Sequence, residues 1–242
     1  MARFIVCIPT FNEVDNISDL IDQLLDINLD LTVAIIDDNS RDGTANAVRE
    51  KIRQHGSESV WLIERETKDG RGGAVLRGFR EGLTQDFDFF VEMDGDFSHD
   101  PADLQGASWL IDSSVELLIG ARYPDGQIHG WPLKRRILSY FANRLASLLI
   151  PADISDYTNG FRIYSRTAVE KILSVGVVNK GFIALSEIIA ICVANDLSIS
   201  SFPIIFRDRT KGSSNASIAE VIKSFVAVFK IALMLRKGKF KA

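Results

Sequence analysis

Two hydrophobic periods alternate along the first half of the chain, and that alternation points to a layered α/β architecture. Phe4–Ile8 is a five-residue apolar run closed by Pro9, too short for a helix and predicted as a buried strand. Ile17, Leu20, Ile21, Leu24 and Leu25 then recur at helical spacing. The cycle repeats with a strand over Thr32–Ile36 and a helix that opens at Asp42-Gly43-Thr44 and carries Ala45, Val48 and Ile52. Val60–Ile63, a helix through Ala74–Leu83, and Phe87–Met93 continue it. Asp100-Pro101 fits an N-cap followed by proline at the first helical position, ahead of Leu104, Ala107 and Leu110, and Glu116–Ala121 closes the series. Strands that are apolar throughout, rather than on alternate residues, are buried on both faces. The expectation is a parallel sheet covered by helices on each side, with ligands bound beyond the carboxyl ends of its strands.

The second half is less regular. Lys134–Ile150 reads as a helix, Phe161–Ser165 as a short strand and Ala184–Val193 as a buried helix. Ser198–Phe206 reads as one further strand, which Pro203 assigns to a sheet edge. No repeat or linker divides the chain, so a single domain with a C-terminal appendage is expected. Its 28 Lys and Arg against 32 Asp and Glu give a net charge of −4, which excludes a nucleic-acid binder that works through overall basic charge. Two well-separated cysteines in apolar runs, Cys7 and Cys192, exclude a disulfide framework and suggest a reducing compartment. The apolar run at the N-terminus is too short for a signal peptide, and no uncharged stretch has the length of a membrane span.

Charge is unevenly placed. Beyond Glu220, the last acidic residue, come Lys223, Lys230, Arg236, Lys237, Lys239 and Lys241, leaving residues 1–220 with a charge of −10. In this tail Ile218, Ile222, Phe225, Phe229 and Ala232 share one helical face, with Val221, Val228 and Leu235 beside it, and Lys223, Lys230 and Lys237 recur every seven residues on another. Such a helix either lies in an anionic membrane interface or packs on the domain with its lysines solvated.

Polar residues gather just past the predicted strands: Pro9-Thr10-Phe11-Asn12-Glu13, Asp37-Asp38-Asn39-Ser40 with Arg41–Thr44, Asp94-Gly95-Asp96, and Arg122-Tyr123. The two carboxylates flanking Gly95 can converge on one hard cation whose shell phosphate oxygens complete; the plainer reading is an acidic turn. Arg122 is either a site cation or a surface ion-pair partner. Glu187 sits in the apolar stretch Leu185–Ile191, where a carboxylate serves either a structural hydrogen bond or a sugar contact. Phe11 and Trp131 either pack or stack on a ligand. His99 and His129 are isolated and are not expected to be ligands.

The motifs IPTFNE, IIDDNSRDGT, EMDGDFSHDP and GARY, in this order and spacing, resemble the inverting family 2 glycosyltransferases of the GT-A fold. That fold is a Rossmann-like, mostly parallel sheet with helices on both faces. Gly130–Arg136, Asp156–Arg162 and Phe206–Arg209 further resemble the polyprenyl-phosphate hexosyltransferases, nearest the dolichyl-phosphate mannose synthase group. The resemblance ends near Ser217, which implies a catalytic domain over residues 1–217 and a basic amphipathic helix over 218–242. It implies that Pro9, Phe11 and Glu13 line a nucleoside pocket, that Asp38 hydrogen-bonds the base, and that Lys68, Gly70 and Gly72 lie in a loop near the nucleotide. Asp94 and Asp96 would hold Mg²⁺ or Mn²⁺ with the diphosphate. Arg122, Arg135 and Ser139 would grip an acceptor phosphate, Arg209 and Lys211 would close over the phosphates, and Glu187 would lie near the sugar. With Asp96, Arg122 and Glu187 as the catalytic set, the implied reaction moves mannose or glucose, with inversion, from a GDP- or UDP-sugar to a polyprenyl phosphate. A lipid phosphate is already anionic and needs no strong base.

The alternatives are a family 2 enzyme acting on a sugar hydroxyl, with Glu187 as base, and a non-catalytic nucleotide-sugar binder. The chain departs from the family pattern at Asn215, where relatives carry lysine, and at Gly95, where alanine is usual. Many relatives continue into two membrane-spanning helices. No such span is read in this sequence, and a polyprenyl substrate is met at a membrane, so the expected location is the cytoplasmic face of a membrane, peripherally bound, with no nucleic-acid partner.

Overall fold

The computed structural model describes residues 2–68, 70–108, 115–208 and 218–241, with the side chains of 218–225 left aside. The alternation is realised as β1 (Arg3–Thr10), α1 (Val14–Leu25), β2 (Asp30–Asp37), α2 (Thr44–His55), β3 (Val60–Glu64), α3 (Arg71–Gly82), β4 (Phe89–Glu92), α4 (Pro101–Ser108) and β5 (Leu117–Ala121). There follow β6 (Gln127–His129), α5 (Leu133–Leu149), β7 (Arg162–Ser165), α6 (Arg166–Val175), α7 (Ala184–Ala194), β8 (Ile199–Pro203), β9 (Ile205–Arg207) and α8 (Ile218–Arg236). Seven strands form one sheet in the order β3-β2-β1-β4-β7-β5-β8. All its pairings are parallel except those of β7, which runs antiparallel to both β4 and β5.

Burial on both faces explains the uninterrupted apolar strands. In β1, Phe4, Val6 and Ile8 point into a core with Ile17, Leu20 and Leu24 of α1 and Leu104 of α4. Ile5 and Cys7 point the other way, toward Val75 and Phe79 of α3 and Ile188 and Ile191 of α7. Both cysteines are buried and unpaired.

One expectation is corrected. Ser198–Phe206 is not one strand: β8 is the edge partner of β5, whereas β9 leaves that sheet after Ile204 and pairs with β6. Pro203 does lie at the edge, as its missing N–H requires. Strands β4 and β5, successive parallel strands of the chain, are separated in the sheet by β7. Helix α6, not assigned from the sequence, begins directly after Ser165, whose hydroxyl accepts from the Ala168 amide at 3.1 Å.

Helix α3 starts at Arg71, a turn earlier than its apolar period suggested, because its glycines are sites of contact. A Cβ on Gly72 would come within 2.6 Å of the Ala184 methyl, and one on Gly78 within 2.8 Å of Ile36 Cδ1 and 2.9 Å of Cys7 Sγ. The helix therefore rests its backbone on the sheet and on α7. At the C-terminus, Val228, Ile231, Ala232 and Phe240 are buried in the core beside α7, and Asn195 Nδ2 donates to the Phe240 carbonyl at 2.7 Å. Val226, Phe229 and Leu233 of α8 face outward. Among the described residues no helix is long and apolar enough to cross a membrane.

These contacts set opposite outcomes for one substitution at two helical glycines. Gly78→Ala is expected to lower unfolding free energy by about 1–3 kcal/mol through overpacking. Gly106→Ala in α4, where a Cβ meets nothing within 4 Å, should instead raise it by about 0.5–1 kcal/mol. Urea denaturation of the two variants beside wild type measures both.

Candidate functional site

The site is the rim where β1, β2, β4 and β5 end, and strand register assembles it. Thr10 lies opposite Asp37, and Glu92 lies opposite Arg162 at the start of β7. Because β7 runs backwards, the turn that precedes it, residues 156–161, reaches the same rim as the loops that follow the parallel strands.

At the β1–β2 end, Asp37 is an organiser of the loop. Its Oδ1 accepts from the Thr10 hydroxyl at 3.1 Å and the Ser40 hydroxyl at 2.6 Å, and its Oδ2 accepts from the Ser40 amide at 2.9 Å. Asp42 ties this loop to α1 by accepting from the Val14 and Thr44 amides. Asp38 is buried beside Arg65, whose Nη1 donates to Oδ1 at 2.7 Å. Burial pushes the Asp38 carboxyl above its ordinary range, and Arg65 and Lys68 offset only part of that rise. Phe11 is exposed on the rim with Lys68 Nζ 3.6 Å above its ring. Pro9 is the penultimate residue of β1, and Glu13 occupies the N-cap position of α1, its carboxylate accepting from the Asn16 side chain at 3.0 Å. Gly70, at φ 81°, turns the chain into α3, with Lys180 O where a Cβ would stand. Gly72 lies in the first turn of α3 against α7, and not in the expected loop.

Past β4, Asp94 and Asp96 bracket Gly95. Asp94 Oδ1 accepts from Arg71 Nε at 2.7 Å, and the same guanidinium pairs with Glu92 and donates to the Gly160 carbonyl at 3.1 Å. Burial alone would push Arg71 down, but the Asp94 and Glu92 carboxylates hold it charged. Asp96, 7% exposed, accepts from the Ser98 amide at 3.1 Å. Among the described residues no three His, Cys, Asp or Glu groups form a metal cage. The donor set is a pair of hard carboxylates whose spacing is fixed by a turn. That set fits a divalent cation brought with, and largely coordinated by, a diphosphate, rather than a resident structural metal.

Past β5, Arg122 is neither exposed nor a surface partner. It is buried against Asp156, donating from Nε at 2.7 Å and from Nη2 at 2.9 Å, and Nη2 also reaches the Thr158 hydroxyl at 2.6 Å. Burial pushes the Asp156 carboxyl up, but the Arg122 guanidinium more than offsets it and holds the group below the ordinary carboxylate range. Trp131 packs between two arginines, 5.3 Å from Arg122 and 4.0 Å from Arg135, and meets Phe206 edge-on. Arg135 pairs with Asp208 at 2.9 Å, and Ser139 follows one turn later on the same face of α5.

Glu187 is fully buried. Its Oε1 accepts from the Val178 amide and its Oε2 from the Asn179 amide and side chain, at 2.7–3.0 Å. It thus shapes loop 178–180, which packs on the start of α3, and is not presented to the rim. Arg209 and Lys211 lie outside the described residues. Arg71 was not singled out in the sequence, His99 was read as an isolated residue, and Asp156 and Asn159 entered only within the Asp156–Arg162 motif without a role; the structure brings all four to the rim. The carboxylate at Glu92, beside the acidic motif, was the available signal for Arg71.

The Arg122–Asp156 pair generates a prediction. Asp156→Asn leaves a buried guanidinium without its counter-charge and should cost about 3–5 kcal/mol in urea unfolding at pH 7. The folded carboxyl is depressed, so its contribution is complete above the unfolded value of about 3.9 and is lost as pH falls below it. The gap between wild type and variant should be constant from pH 7 to 5 and shrink below pH 4.

Over residues 5–173 the chain matches the family described as glycosyl transferase family 2. It is 33% identical over 231 residues to a polyprenol monophosphomannose synthase of Mycolicibacterium smegmatis, covering 95% of this chain and 86% of that protein. It is 30% identical over 235 residues to an undecaprenyl-phosphate mannosyltransferase of Micrococcus luteus, covering 97% and 96%. Among solved structures, glucosyl-3-phosphoglycerate synthase from Mycobacterium tuberculosis in complex with Mn²⁺, UDP and glucosyl-3-phosphoglycerate superposes with a TM-score of 0.67 at 18% identity. That match spans 97% of this chain and 79% of the other, and shows a shared GT-A fold. With a family match over more than half its length and relatives at 30% identity or better along nearly all of it, the chain belongs to glycosyl transferase family 2 and is a glycosyltransferase.

Proposed function

We propose that the enzyme transfers a hexose, in the first instance mannose, from a nucleoside-diphosphate sugar to a polyprenyl phosphate with inversion, assisted by a divalent cation. The observation that carries this reading is the state of Glu187. The one carboxylate motif reading offered as a general base is buried with both oxygens accepting backbone or amide donors. An acceptor hydroxyl needs such a base, whereas an acceptor phosphate arrives as its own nucleophile. The names of the two mannosyltransferase relatives support the same acceptor class.

Asp94 and Asp96 would hold the cation, which supplies charge stabilisation to the departing diphosphate. Arg122, with Nη1 unengaged among the described residues, and Arg135 and Ser139 on α5 would position the acceptor phosphate. One phosphate oxygen attacks the anomeric carbon opposite the leaving group, the new C–O bond replaces the one to the nucleoside diphosphate, and no proton moves. Pro9, Phe11, Glu13, Asp38 and Lys68 would seat the nucleoside, and Arg209 and Lys211 would close over the phosphates. Labelled transfer from GDP-mannose and from UDP-glucose to a short polyprenyl phosphate, with Mn²⁺ and with chelator, tests the reading. Product from one donor, abolished by chelator and at least about 100-fold lower in kcat/KM for Asp96→Asn, is expected. Donor hydrolysis or transfer to added sugars without lipid product would overturn it.

A lipid substrate has to be met at a surface, and α5 and α8 supply one. Leu133, Ile137, Leu138, Tyr140, Phe141 and Leu148 of α5 are exposed, as are Val226, Phe229 and Leu233 of α8, which packs on α5. Lys134, Arg136 and Arg144 alternate with the first set. This pattern supports peripheral docking on an anionic bilayer, with α8 fixed to the body by its inner face and residues 218–242 serving the docking rather than the chemistry. Phe141→Ser with Phe229→Ser should reduce co-flotation with anionic vesicles by about 10-fold or more without changing the urea midpoint. Vesicle binding equal to wild type would sink this role.

A further inference from the structure

We propose that His99 is the positioning residue that holds the two halves of the site in register, joining the Asp94–Asp96 turn to the turn that carries Arg122's partner. The inference rests on the reading of those halves as donor and acceptor sites. Strands β4 and β5 are not neighbours; β7 stands between them, which sets the loops that follow them about 10 Å apart across the sheet. Among the described residues no backbone ladder ties one of these loops to the other. Side chains do: Arg71 spans Asp94 and the Gly160 carbonyl, and His99 with Asn159 spans the Asp94 amide and the Gly120 carbonyl on β5.

Asn159 Nδ2 donates to the Gly120 carbonyl on β5 at 2.5 Å, which turns its Oδ1 toward His99 Nε2 at 2.9 Å. That orientation makes Nε2 the protonated nitrogen, leaving Nδ1 to accept the Asp94 amide at 3.3 Å. The Asn159 amide in turn donates to Asp156 Oδ1 at 3.1 Å, the oxygen that receives Arg122 Nη2. One hydrogen-bonded path thus runs from Asp94 through His99, Asn159 and Asp156 to Arg122. The ring cannot swing: it is fully buried, stacked on Phe161 and met edge-on by Phe206, both with centroids at 5.4 Å. Burial also keeps the imidazole below its ordinary range, in agreement with one proton on the ring. Gly120 is part of the device, because a Cβ there would lie 3.0 Å from Ile204 Cγ2 and 3.3 Å from Asn159 Nδ2.

The two nitrogens have separate duties, so two amide replacements separate them. His99→Asn keeps an acceptor near the Nδ1 position, and His99→Gln keeps a donor near the Nε2 position. Full-length variants are compared with His99→Ala by Mn²⁺ binding in the presence of GDP or UDP, followed by electron paramagnetic resonance, and by KM for a short polyprenyl phosphate. His99→Ala should weaken Mn²⁺–nucleotide binding about 10-fold or more and raise acceptor KM as well. His99→Asn should recover the first and not the second, and His99→Gln the reverse. Asn159→Ser, which cuts the path while leaving the imidazole packed, should raise acceptor KM with Mn²⁺–nucleotide binding near wild type. Wild-type values in all variants would overturn the proposal, as would equal losses that follow only the fall in urea midpoint. A wild type that binds Mn²⁺–nucleotide but makes no lipid product would fail the acceptor reading alone, since the metal-side comparison still decides for or against His99. Absence of Mn²⁺–nucleotide binding in wild type would overturn both.

Discussion

Strand β7 enters the sheet between β4 and β5 in the opposite direction to both, so Arg162 at its start sits opposite Glu92 at the end of β4. A parallel strand in that place would send the segment before it to the far edge of the sheet. Reversed, it delivers Asp156, Thr158, Asn159 and Gly160 to the rim that already holds Asp94, Asp96 and Arg122. The dependence shows at atomic scale at Gly160. A Cβ there would lie 2.2 Å from Arg71 Nη2, so the guanidinium that holds Asp94 needs a glycine on the turn before β7.

The rim concentrates charge in a low-dielectric setting, and three of its arginines face carboxylates. Arg71 stands against Glu92 and Asp94, Arg122 against Asp156, and Arg65 against Asp38. Arg162, wholly buried, has no carboxylate within salt-bridge distance among the described residues. It donates instead to the carbonyls of Asn159, Tyr157 and Leu185 at 2.8–3.0 Å. The bonds to Tyr157 and Asn159 pin the 157–159 backbone, and the bond to Leu185 ties it to α7, while Asp156 and Asn159 hold the same turn through their side chains. Buried ion pairs of this kind contribute little net stability compared with apolar packing, but they set geometry closely because loss of either partner strands the other. For a reaction that brings two anionic partners together, fixed cations that need no rearrangement are the physical requirement.

The first five strands were legible because burial on both faces leaves an uninterrupted apolar run, a signal carried entirely by local sequence. The Asp94-Gly95-Asp96 turn was legible for the same reason, following such a run directly. What escaped depends on contacts distant in sequence. The antiparallel sense of β7 is not encoded in Phe161–Ser165, whose composition suits either direction. Helix α3 was drawn short because its glycines lower helix propensity while serving close packing on Cys7, Ile36 and Ala184. His99 read as an isolated histidine because its partner lies 60 residues away. Asp37 was counted among the rim's polar residues without a role, because a carboxylate after a strand looks alike whether it faces substrate or three local donors. Glu187 was left open between two roles, and loop 178–180 occupies both of its oxygens.

The tail illustrates how a periodic pattern can be read correctly and still mislead. Residues 226–235 are apolar on more than one helical stripe. The inner stripe, Val228, Ile231 and Ala232, completes the core beside α7, while Val226, Phe229 and Leu233 stay outside with Lys230 beside them. Packing on the domain and facing a membrane, posed by the sequence as alternatives, are compatible on a helix with two apolar stripes. The outer stripe gains nothing from the fold, and exposing Phe229 and Leu233 forgoes roughly 1.5–3 kcal/mol each relative to burial. Helix α8 packs against α5, whose own exposed apolar residues Ile137, Leu138 and Phe141 stand beside Arg135 and Ser139, the groups proposed for the acceptor phosphate. A polyprenyl chain leaving a phosphate held there would run along apolar side chains rather than into water.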